Sequence, residues 1–79
     1  MKIRVHLHGI LRDHLPVEAK GKATLTLEDG AGISDIVTWL EQLGISRRYE
    51  LALNGQVIVN DQKLSDGDAI DVFRPAAGG

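Results

Sequence analysis

Residues 29–44 read DGAGISDIVTWLEQLG, and the placement of their apolar side chains decides the fold. Ile33, Ile36, Val37, Leu40 and Leu43 recur at the spacing that lines one stripe of an α-helix. The stretch predicts a helix capped by Gly32 or Ser34, with Asp35 adding negative charge to its first turn. It should stop at Gly44, where a left-handed backbone is wanted. Trp39 lies at the edge of the stripe and reads as a half-buried structural residue.

A helix with one apolar stripe needs a surface to cover it, and the flanking sequence alternates as strands do. From Lys2 to His8, Ile3, Val5 and Leu7 fall on one face, with Lys2, Arg4, His6 and His8 on the other. Ala23 to Glu28 alternates again, with Leu25 and Leu27 inward and Thr24 and Thr26 outward, and is expected to pair with the first strand. Between them, Gly9 to Leu15 predicts a loop with local helix ahead of Pro16. After the helix, Tyr49 to Leu53 reads as a strand ending at Asn54-Gly55, the dipeptide that most favours a tight turn with positive φ. Gln56 to Asn60 is a short Val-Ile-Val run. Ser65-Asp66-Gly67-Asp68 turns the chain into a last strand, Ala69 to Phe73, with Ile70 and Val72 facing the core.

Two strands, one helix and then several strands joined by tight turns define an α+β class. The simplest packing is a β-grasp (ubiquitin-like) roll, a mixed sheet of four to five strands with one main helix on one face. Residues 1–75 form that domain, and 76–79 are expected to be a flexible tail.

Composition narrows the function. A chain of 79 residues leaves little apolar volume for a deep substrate cavity, which disfavours a self-contained enzyme. The net charge of -2 gives no footprint for nucleic acid. No apolar run approaches the roughly 18 residues that span a bilayer, so no membrane association and a cytoplasmic location are expected. The absence of cysteine removes disulfides, thiolate metal sites and a thiol nucleophile, so any sulfur chemistry must use another group.

The chain closes with Arg74-Pro75-Ala76-Ala77-Gly78-Gly79. Pro75 cannot donate a strand hydrogen bond, and the residues after it are too small to anchor a core, so a thin strip should project from the sheet. The parity of the last strand turns Phe73 outward at its base as an exposed aromatic. With His8 and Val57 on the same outer face, it makes a candidate docking patch. His6 and His8 share that face and His14 is close in sequence, but no spacing here is characteristic of a metal site and none is expected. Asp66 and Asp68 read as turn residues rather than paired catalytic carboxylates.

Taken together, Ile3-Arg4-Val5, the segment Ile10 to Leu15, Leu53-Asn54-Gly55, Leu64-Ser65-Asp66-Gly67-Asp68 and the Gly78-Gly79 end resemble the MoaD/ThiS sulfur-carrier family across essentially the whole chain. Length and Leu11-Arg12-Asp13 look more like the small subunit of molybdopterin synthase than the shorter thiamine carrier. The resemblance implies an E1-like adenylating enzyme that uses ATP to transfer AMP to Gly79. A persulfide sulfurtransferase would then deliver sulfur to give a thiocarboxylate. A larger synthase subunit would use that sulfur on a pterin precursor in molybdenum cofactor biosynthesis.

On that resemblance Gly78 and Gly79 form the reactive end, and His8, Arg12, Val57, Phe73, Arg74, Pro75, Ala76 and Ala77 contact partners. The chain would be a non-catalytic carrier subunit with no tightly bound cofactor beyond covalent sulfur on Gly79. His8 stands where related carriers often have a bulky apolar residue, and Arg74 where many have proline. Two other fates for the same end remain open: a thiamine-type sulfur carrier, or a ubiquitin-like modifier joined to lysines.

Overall fold

Alternation in the first residues becomes a central strand, β1 (Lys2–Leu7), whose Ile3, Val5 and Leu7 are fully or almost fully buried. The computed structural model describes residues 1–45 and 48–75. After β1, two short 3-10 turns, Gly9–His14 and Val17–Ala19, lead into β2 (Lys22–Thr26). Then come α1 (Ile33–Gln42), β3 (Glu50–Leu53), β4 (Gln56–Ile58) and β5 (Ala69–Phe73). The five strands lie in the order β2-β1-β5-β3-β4. β1 pairs antiparallel with β2 and parallel with β5, and β3 is antiparallel to both β5 and β4. This is the expected β-grasp roll, with boundaries that differ from the sequence reading by one or two residues.

The apolar stripe of α1 covers one face of the sheet. Ile36 and Leu40 are fully buried against Ile3, Leu7, Ile70 and Val72, while Val37, Trp39 and Leu43 pack at the margin. Gly32, not Ser34, is the cap residue, and Asp35 Oδ2 accepts the Gly32 N–H at 2.9 Å. A second acceptor comes from far along the chain: Asp61 Oδ1 takes the Ser34 N–H at 3.1 Å. Two otherwise unpaired donors of the first turn are thus satisfied by carboxylates, where the helix dipole also favours negative charge.

Turn chemistry carries the rest. Asn54 and Gly55 adopt φ of 49° and 91°, the doubly left-handed turn that joins β3 to β4. Asn54 also reaches across, its Oδ1 accepting the Ala69 N–H at 3.0 Å and its Nδ2 donating to Asp68 at 3.1 Å. Asp66 Oδ1 accepts the Lys2 N–H at 2.7 Å, and Asp68 Oδ2 accepts that of Ser65 at 2.8 Å. Both aspartates are therefore turn residues, as their sequence context suggests. Among the described residues no helix is long and apolar enough to cross a membrane.

Gly21 enters β2 with φ +79°, and a β-carbon there would lie 2.5 Å from the Leu7 carbonyl oxygen and 2.7 Å from Arg12 Cγ. Gly44, which follows α1 with φ +88°, has open space around the same position. Gly44→Ala should therefore cost only the backbone strain, about 1 kcal/mol. Gly21→Ala should cost at least about 2 kcal/mol, because the backbone oxygen it meets cannot swing aside. Urea unfolding midpoints of the two variants check the ordering.

Candidate functional site

Among the described residues no other element covers the face of the sheet opposite α1, and register decides which side chains meet there. His6 of β1 stands beside Asp71 of β5, Asp71 beside Ala52 of β3, and Ala52 beside Val57 of β4. One row across the open face thus runs from imidazole through carboxylate to methyl groups. The next row holds His8, just past β1, and Phe73, which is paired with Glu50. The His8 N–H donates to the Val72 carbonyl at 2.9 Å, which extends the parallel ladder to the foot of the last strand.

Asp71 Oδ1 accepts from His8 Nε2 at 2.8 Å and lies 3.9 Å from His6 Nδ1. The two imidazole rings sit side by side, with centroids 4.0 Å apart. Lys22 faces His6 from β2, where the two are ladder partners. The His6 imidazole is held below its ordinary range, first by burial, then by the nearby His8, Lys22 and Arg12, against an opposing pull from Asp71.

Of the residues expected to matter, the structure brings His8 and Phe73 together at the end of β5 and places Val57, 57% exposed, two strands away on the same face. Phe73 is half-buried rather than exposed, because β5 is flanked on both sides by β1 and β3. Arg12 lies on the first 3-10 turn with its side chain over Gly21, away from the Val57 end. Arg74 and Pro75 are exposed just past β5, and Arg74 Nη1 donates to the Arg48 carbonyl at 3.4 Å. Ala76, Ala77, Gly78 and Gly79, and the tail they were expected to form, lie outside the described residues.

His14 does not join the other histidines. Its Nδ1 is 3.2 Å from the Leu43 carbonyl at the end of α1. The group the sequence reading missed is Asp71, and a signal for it existed: with Ile70 and Val72 inward, Asp71 had to face outward from the last strand. Its neighbour could not be named without the parallel register.

The model of the ThiS family matches residues 11–79. Among curated proteins, none matches the chain by sequence. Solved structures share its fold. SAMP1 from Haloferax volcanii is 14% identical with a TM-score of 0.76 over 100% of both chains. A chain from the complex of subunits 1 and 2 of the molybdopterin-converting factor of Helicobacter pylori is 23% identical with a TM-score of 0.67, also over 100% of both. A Pyrococcus furiosus protein assigned as molybdopterin converting factor subunit 1 is 21% identical with a TM-score of 0.78, over 96% of this chain and 99% of that one.

Because its folded imidazole resists protonation, His6 takes up its proton at lower pH than it would in the unfolded chain. Stability from this group is therefore unchanged above the ordinary imidazole range and falls as pH drops through that range toward the lower folded value. Histidine ring resonances followed against pH should show His6 titrating below an ordinary imidazole. Lys22→Gln should move it up and Asp71→Asn further down. A His6 that titrates at or above the ordinary range contradicts this electrostatic picture.

Proposed function

The chain belongs to the ThiS family, and on that footing we propose that it is a sulfur carrier whose Gly79 carboxyl group is adenylated and then converted to a thiocarboxylate. The observation that carries the reading is the extent of the family match, which runs from the first 3-10 turn through β5 to Gly79. A chain without cysteine has no thiol to carry sulfur, so the sulfur must be held on another group. A terminal carboxyl group meets that need.

The chemistry follows from the weak electrophilicity of a carboxylate. A Gly79 carboxylate oxygen attacks the α-phosphorus of ATP and pyrophosphate leaves, giving a mixed anhydride with AMP. The terminal sulfur of a persulfide then attacks the acyl carbon and AMP departs, leaving an acyl disulfide. A thiol of the donor or activating enzyme attacks the inner sulfur, forming a new disulfide with it and releasing the Gly79 thiocarboxylate. Glycine at positions 78 and 79 presents no β-carbon to the walls of a narrow active site, which allows a close backbone approach. The scaffold presents the carboxyl group, and an E1-like adenylating enzyme and a persulfide sulfurtransferase supply the catalysis in the cytoplasm.

We assign the sulfur to molybdopterin synthesis, with a larger synthase subunit as the receiving partner. The structural likeness to one chain of the Helicobacter two-subunit converting factor supports this choice over a thiamine-type acceptor. His8, Phe73 and Val57 on the open face, with Arg74 and Pro75 beyond it, are the surface we assign to that docking. Arg12 would contribute from the sheet margin.

Incubation with the activating enzyme, ATP and a persulfide donor should give an intact-mass gain equal to replacing one oxygen by one sulfur. Removal of Gly79 should abolish the gain while leaving the thermal unfolding midpoint unchanged, since among the described residues the last fully buried side chain is Val72. Charging of the truncated chain overturns the proposal. So does recovery of the protein from cells joined to lysines with no thiocarboxylate form.

A further inference from the structure

Three ligating side chains converge on the open face of the sheet, each set there by the two central strands. His6 and His8 are alternate residues, so their rings project to the same side, and Asp71 is the parallel ladder partner of His6. Their candidate ligand atoms all lie within 4.8 Å of one another. The Asp71 Oδ1 separations are 2.8 Å to His8 Nε2 and 3.9 Å to His6 Nδ1. Ligands about 2 Å from a tetrahedral ion stand a little over 3 Å apart, so side-chain rotation alone would bring the three into range.

We propose that His6, His8 and Asp71 form a binding site for a divalent transition-metal ion of the zinc class, held by two imidazoles and one carboxylate with its remaining coordination open to solvent. The donor set selects the ion: imidazole suits zinc, copper and nickel, whereas magnesium and calcium call for oxygen ligands. The ion takes the place between His8 Nε2 and Asp71, and the neutral ring shifts to the tautomer with its one proton on Nδ1, which frees Nε2 to ligate.

All three side chains are between 36% and 41% exposed, which leaves an entry path without any movement of the fold. Asp71 Oδ1 is turned to the two imidazoles, whereas the carboxylates of Asp35, Asp61, Asp66 and Asp68 accept backbone N–H groups. A bound ion would lie on the face that carries Phe73 and Val57, so occupancy would change the surface offered beside the end of β5. The site does not depend on the sulfur-carrier reading and stands or falls separately from it.

The test uses the full chain without an affinity tag, titrated with zinc chloride and, in parallel, with magnesium chloride. Calorimetry should show one zinc per chain and no magnesium binding. Histidine-selective nitrogen spectra should show the ring nitrogens of His6 and His8 shifting together while those of His14 stay in place. His8→Gln and Asp71→Asn should each weaken zinc binding about tenfold or more, with circular dichroism confirming that the variants fold. His14→Gln should bind as the unmodified chain does. Absence of zinc binding overturns the proposal, as does equal affinity in all three variants. A zinc-induced shift at His14 with His6 and His8 unmoved does the same, and needs no variant to be read.

Discussion

The parallel ladder between β1 and β5 is the contact on which the rest of this molecule depends. Parallel neighbours cannot be joined by a tight turn, so the chain between them must travel out and back. Here that excursion builds everything else: β2 on the outer flank of β1, α1 across one face, and the β3–β4 hairpin on the outer flank of β5. The ladder also places Val5 beside Ile70 and Leu7 beside Val72, the pairs over which α1 lays Ile36 and Leu40. Without it the helix stripe would have two half-sheets and no common floor.

The same ladder separates structure from chemistry. Inward residues of β1 and β5 are aliphatic and buried, while the outward residues toward the Phe73 end are His6, Asp71, Phe73 and, just past β1, His8. A one-residue slip in pairing would exchange the two sets, which makes the register costly to alter. Loop carboxylates hold it in place. Asp66 ties the start of β1, Asp68 and Asn54 tie the start of β5, and Asp61 ties the first turn of α1 to the loop that precedes β5. Asp71, within the sheet itself, instead faces the imidazoles of His6 and His8.

Much of this was legible along the chain because it rests on local periodicity. The alternation of Lys2 to His8, the stripe from Ile33 to Leu43, the Asn54-Gly55 turn and the inward parity of Ile70 and Val72 all follow from neighbours in sequence, and the structure reproduces them. What stayed hidden is what long-range pairing decides. Asp61 as a helix cap, Gly21 pressed against the Leu7 carbonyl, and Asp71 between two histidines each join residues far apart in the sequence. Phe73 shows both sides: its outward direction follows from parity, but its partial burial follows from a place in the middle of the sheet that no local pattern reveals.

The central position of β5 also bears on how the molecule is made. The strand that forms the spine of the sheet is made after every other element of this fold, so β1 must wait beside β2 with its other edge unpaired until β5 is synthesised. A nascent chain that stops before Phe73 lacks the floor under α1 and cannot mature. The fold therefore acts as a completeness check: only polypeptides translated through β5 acquire a continuous sheet at all.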